Sequence, residues 1–182
     1  MKYLLASGLL AAASFAAPAA AQGTGGFQFG LSGGVSVPQG DTATAFDNGY
    51  HGGLVLNFKL PALPLGFRVD GDYRRFSAKT QSTASGSAQV VDGNANLVVG
   101  IRIILVKVYA LGGVGVYNVK LSAETAGIST STSQTQFGWN WGVGAALVVG
   151  KISLFVEGRY HEVTLDNSGT FKFIPVSAGI LF

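Results

Sequence analysis

The sequence contains no cysteine. That excludes disulfides, thiol nucleophiles and thiolate metal sites together. Charge is also scarce. Asp, Glu, Lys and Arg make up 12% of the 182 residues, about half the usual share, and a water-facing surface ordinarily carries more. The two histidines, His51 and His161, show no ligand spacing with the scattered carboxylates, so no metal site is expected. Gly112-Gly113-Val114-Gly115 has no helix pattern after it and is no nucleotide loop, so no cofactor is expected. The pI of about 9.3 does not indicate nucleic acid, because basic residues adjoin only at Arg74-Arg75. Beyond the N-terminus no apolar run approaches the ~20 residues of a membrane-spanning helix. Yet hydrophobic residues reach 48% and mean hydropathy is +0.38.

The N-terminus reads as an address. Lys2 gives a short positive region, Leu4 to Phe15 an apolar one, and Ala19-Ala20-Ala21 before Gln22 a cleavage site. Residues 1–21 are therefore expected to be a signal peptide. Gln22 to Phe182 is then one domain of 161 residues.

That domain alternates. Leu65, Phe67, Val69 and Tyr73 interleave with Arg68, Asp70, Asp72 and Arg74. Successive residues of a strand face opposite ways. Sorted by parity, one face is apolar, while the other collects Arg68, Asp70, Asp72, Arg74, Asp92, Arg102, Glu157 and Arg159. The exceptions, Arg75, Lys107, Glu162 and Lys172, fall at strand ends. A soluble barrel would bury the apolar face. Paired with so little charge, the pattern favours the inversion, with lipid outside and a polar interior.

About eight strands follow. They are expected at Gly26–Val37, Tyr50–Leu60 and from Leu65, then in five further segments to Phe182. The fourth puts Leu97, Val99, Ile101 and Ile103 outward, with a tight join to the fifth near Val106-Lys107. The fifth is expected to show Tyr109, Leu111, Tyr117 and Val119 outside. Polar loops are expected at Gln39–Asn48, Ser77–Ala88 and Ser122–Thr135. Long loops alternate with short turns, as in barrels that cross an outer membrane. Two aromatic belts are expected: Tyr50, Tyr73, Tyr117, Trp139 and Tyr160 near the long loops, and Phe27, Phe29, Phe58, Phe67, Tyr109 and Phe182 near the short turns. Pro175 has no N–H for the ladder. It implies either a bulge or broken rung, or a last strand that begins after it.

On the terminal Ala19-Ala20-Ala21 signal, the alternating strands and the final Phe182, residues 22–182 resemble the small outer-membrane β-barrels of the OmpA/OmpX-like kind. The resemblance implies a transmembrane eight-stranded antiparallel up-and-down barrel in the outer membrane of a Gram-negative-type bacterium, with both termini periplasmic. No peptidoglycan-binding domain of the OmpA kind is expected. It also implies that Ile180 and Phe182 signal to the barrel-assembly machinery, although Ser177 stands where the family has Gly. Membrane lipid and lipopolysaccharide are the expected surroundings, the chain is expected to be a monomer, and any surface ligand is expected at the long loops. Some such barrels modify lipopolysaccharide, but His161-Glu162-Val163 and His51-Gly52-Gly53 lack the Ser two residues after His, so catalysis is not expected. The inner charges read as a polar conduit or as paired ions plugging a narrow lumen. Eight strands favour the plug, because a barrel of that size is just wide enough for side chains to fill.

Overall fold

The computed structural model describes residues 26–60, 63–79, 84–125, 128–166 and 169–182. The expected signal peptide lies outside them. The chain forms β1 (Gly26–Gln39), α1 (Asp41–Ala45), β2 (Gly49–Lys59), β3 (Leu65–Ser77), β4 (Ala84–Ile103), β5 (Val106–Thr125), β6 (Ile128–Val149), β7 (Ile152–Leu165) and β8 (Gly169–Leu181). Each strand pairs antiparallel with the next, and β8 closes on β1. Closure removes the sheet edges that lipid could not satisfy.

Register sets the geometry. Pairing runs from Val35 through Tyr50 and Arg75 to Gln89. In the other direction it runs through Val176, Gly158, Val143 and Ala110 to Val99. The two ends lie ten residues apart on β4. A stagger of that size over eight strands tilts them by about 40°, so each residue climbs about 2.5 Å along the axis. On that scale Tyr50, Tyr73, Trp139 and Tyr160 share one level to within about 5 Å. Phe27, Phe29, Phe58, Phe67 and Phe182 form a second belt about 18 Å below. The outward residues between them are apolar and exposed, among them Leu31, Leu54, Val69, Leu97, Val114 and Val143. This is the band that an outer-membrane barrel presents to lipid.

Three expectations are corrected, and a fourth, left open at Pro175, is decided. First, β5 faces the other way. Tyr109, Leu111, Tyr117 and Val119 are buried inside, and Val108, Ala110, Val114 and Val116 point outward. The β4–β5 turn is Ile104-Leu105, not Val106-Lys107, with Ile103 paired to Val106. A two-residue turn joins positions of opposite parity. Odd outward residues on β4 therefore require even outward residues on β5. Tyr109 and Tyr117 accordingly leave the aromatic belts.

Second, the described residues of the expected loops at Ser77–Ala88 and Ser122–Thr135 are largely strand. Ser77 pairs with Ser87, and β5 and β6 stay paired to Thr125 and Ile128. Polar residues on both faces hid these strands, because a solvated ladder needs no apolar alternation. Asn118 donates to Thr135 Oγ1 (2.8 Å) and Ser133 donates to Asn118 Oδ1 (3.1 Å) across this ladder. Third, Gln39–Asn48 contains α1, and Lys172 N–H donates to Thr42 Oγ1 at 3.0 Å. Pro38 does not close β1 but pairs with Phe173.

Fourth, β8 begins before Pro175. The β7–β8 pairing breaks between Gly158–Val176 and His161–Phe173 and resumes in the same register. Of the alternatives, the broken rung is the one found.

Candidate functional site

The lumen is layered. Under the outer mouth lies an apolar cluster that includes Phe76, Val90, Tyr117, Val163, Phe171 and Phe173, with Phe46 packed against it. Toward the periplasmic mouth lies a second cluster of Val55, Val98, Tyr109, Leu111, Ala146, Phe155 and Leu181. Between them the charged residues occupy about 15 Å of the axis. The alternation of β3 supplies four of these, Arg68, Asp70, Asp72 and Arg74, all buried. Asp92 is brought beside Asp72 by the β3–β4 register, and Glu157 and Arg159 come from β7.

These charges form two groups. Arg68 pairs with Glu157 at 2.6 Å. Glu157 also pairs with Arg159, and Arg159 with Asp70, to which Asn96 donates at 3.0 Å. In the second group Arg74 pairs with Asp92 and with Asp72 (3.1 Å), and Asn94 donates to Asp92. The first group balances. The second sets two carboxylates against one guanidinium. Isolated buried charge is costly, and such groups persist only when paired. The Arg68 guanidinium also sits over the Tyr109 and Phe155 rings, at 5.2 and 5.4 Å, and Arg74 over Phe173 at 5.2 Å. Each apolar layer thus meets a cation at its inner surface.

Arg102 does not belong to this belt. It has the inward parity but stands exposed at the periplasmic rim, where it donates to the Ile104 carbonyl at 2.9 Å. The belt instead gains uncharged groups and the two histidines. Tyr117 donates to Asn94 Oδ1 (2.6 Å), Asn140 donates to the same oxygen (3.3 Å), and Tyr117 Oη lies 2.9 Å from His161 Nδ1. His161 stacks on Phe173 at 4.8 Å. His51 lies between Ser36 Oγ, 3.0 Å from Nδ1, and Ser177 Oγ, 2.8 Å from Nε2. The turn parity would have revealed Tyr117. Nothing local in the sequence joins Ser36 and Ser177 to His51. Both histidines are buried and face the lumen.

Ser32, Asp72, Arg74, Pro175 and Ser177 border a remaining cavity of about 10 Å³, about the room one water's centre needs. Ile180 faces outward and pairs with Leu31 and Leu154. Phe182 exchanges backbone hydrogen bonds with Phe29 (2.8 and 3.3 Å), and their rings are 5.4 Å apart.

Residues 7–182 match the family model described as the outer membrane protein beta-barrel domain. The chain belongs to that family. It is accordingly an outer-membrane β-barrel, and its surroundings are membrane lipid. Among curated protein sequences none matches it. Solved structures share the fold at low identity. Neisserial surface protein A has a TM-score of 0.62 and 17% identity, covering 86% of this chain and 96% of its own. A major outer membrane protein from Thermus thermophilus has 0.59 and 15%, covering 86% and 98%. Ail, the attachment invasion locus protein of Yersinia pestis, has 0.55 and 18%, covering 87% and 99%.

Proposed function

We propose that this barrel is a non-conducting scaffold that displays a surface-interaction ladder, with no catalytic role. The observation that carries the reading is the layered interior combined with the protruding β4–β6 sheet. Two apolar layers enclose a belt of paired ions, which supports a closed lumen. Above the upper aromatic belt, β5 and β6 continue together to Thr125 and Ile128, while β6 leaves β7 at Gly138. The hairpin thus rises about 25 Å beyond that belt and offers solvated Ser, Thr and Asn side chains on a rigid ladder. Recognition belongs on such exposed segments. Ail carries attachment in its name, which accords with an adhesion-like role here.

The test replaces residues 121–132 with Asn-Gly, a turn that fits the Lys120–Ser133 pair. The barrel should still fold and show its heat-modifiable gel shift, while cell-surface attachment is lost. Unchanged attachment would overturn the reading. Large steady steps in planar bilayers would overturn the closed lumen.

The β7–β8 break favours a second reading, a barrel that passes small apolar solutes sideways. Pro175 lies at the break and borders the central cavity. Liposome uptake by the native barrel that falls in Pro175→Val would support it. Residues 1–21 are read as a cleaved signal, and Ile180 and Phe182 as the assembly signal. Lipopolysaccharide is read as the outer-leaflet neighbour and the chain as a monomer.

A further inference from the structure

The upper part of β6 is paired on one side only. It stays with β5 up to Ile128, but its pairing with β7 stops at Gly138. Among the described residues no backbone group closes its second side above that point. The opposite margin of the same sheet is covered, because Ala78 N–H donates to the Gly86 carbonyl of β4 at 2.9 Å. The barrel thus closes within the membrane and reopens outside it as a single free edge on β6.

Alternation says which groups that edge presents. Val148 N–H donates at 2.7 Å to the carbonyl of Leu105, the residue before β5. The register of β6 is unbroken from there to Ile128, and successive residues of a strand turn their N–H and C=O to opposite sides. Even-numbered residues of β6 therefore bond β5. Ser131, Ser133, Thr135 and Phe137 turn theirs to the open side, with a repeat of about 6.8 Å.

Native edges are blunted by charge, proline, a bulge or a covering segment. Residues 130–137 contain no charged residue, no Pro and no Gly, and their pairing with β5 has no bulge. Unpaired N–H and C=O at strand spacing are matched by another extended backbone. Strand tilt excludes a second copy in the same membrane. A two-fold axis along the membrane normal gives the two edges opposite tilts, so they would cross at about 80°. Paired strands differ by only about 20–25°. At the foot of the edge Phe137 is 78% exposed and offers an apolar contact to one end of an added strand.

We infer that β6 from Thr130 to Phe137 captures an extended, uncharged segment of another polypeptide as an added strand, with an apolar residue of that segment seated on Phe137. The inference rests on the surface-interaction reading and names the partner of that hairpin.

The test uses the full barrel in phospholipid nanodiscs. The probe is a fluorescent peptide with the sequence of residues 130–137, which is uncharged and free of the tilt that the membrane imposes. The native barrel should bind it. Amide hydrogen exchange should then slow at Ser131, Ser133 and Thr135 and stay unchanged at Thr132 and Gln134, which β5 already protects. S131P/T135P removes two edge donors that bond nothing in the ladder, at positions where an edge strand tolerates Pro. It should keep the heat-modifiable gel shift and lose binding at least about tenfold, the worth of two hydrogen bonds. T132A/Q134A changes side chains and leaves every edge group, and should bind as the native barrel does. Absent peptide binding would overturn the proposal. So would exchange slowed evenly along the strand, full binding by S131P/T135P, or lost binding in T132A/Q134A. Cell-surface attachment separates the two readings. Attachment kept in S131P/T135P but lost when residues 121–132 are replaced would overturn the edge and leave the ladder. Attachment kept in both would overturn the surface reading itself, and peptide binding alone would then decide the edge.

Discussion

Replacing Arg74 tests the lumen most directly. Its guanidinium is 2% exposed and is shared by Asp72 and Asp92, which face each other as a direct β3–β4 pair. Arg74→Met keeps the length and apolar stem but leaves two carboxylates on paired positions. Removing one partner of a buried pair costs about 3–5 kcal/mol. Here two anions lose one cation, so the upper part of that range is expected. Asp72→Asn is the control. It leaves Arg74 with Asp92 alone and should cost no more than about 1–2 kcal/mol. Urea titration of the folded gel form in phosphatidylcholine vesicles reads both. Arg74→Met/Asp92→Asn should recover part of the loss. The reasoning fails if Arg74→Met stays near native stability, or if Asp72→Asn costs as much as Arg74→Met.

Further outcomes follow from register and packing. Val143 lies near mid-band and Val99 near the lower belt, so Val143→Arg should cost about 2–4 kcal/mol and Val99→Arg about 0–1 in the same titration. Gly144→Ala would put a methyl 2.5 Å from the Tyr109 ring and should cost about 1–3 kcal/mol. Gly158→Ala meets nothing within 4 Å and should be neutral or slightly stabilising; equal effects would show the β5 facing to be wrong. Ile104 holds φ 57 in the β4–β5 turn, a conformation that a β-branched residue adopts at a cost of about 1–2 kcal/mol. Ile104→Asn should therefore raise the urea midpoint.

The sequence by itself determined the broad architecture. Its β3 alternation, Arg68 to Arg74 against Phe67 to Tyr73, favours lipid outside over a soluble barrel once charge is this scarce, because a water-facing surface would carry more of it. The outward row of β4 was equally legible, since Leu97, Val99 and Ile101 alternate there with Asn96 and Arg102. The fifth strand was not. Both of its parities carry apolar residues, so local pattern is silent and only the turn parity, transmitted from β4, decides that Tyr109 and Tyr117 point inward. The hairpin from Ser122 to Thr135 was hidden for a related reason: a ladder wet on both faces has no apolar period. Tertiary structure alone decided how the lumen is filled. The stagger of ten residues sets which heights meet. It places Arg159 of β7 against Asp70 of β3 and His51 between two serines. It also leaves Arg102 outside the belt, because its parity was right but its height was not.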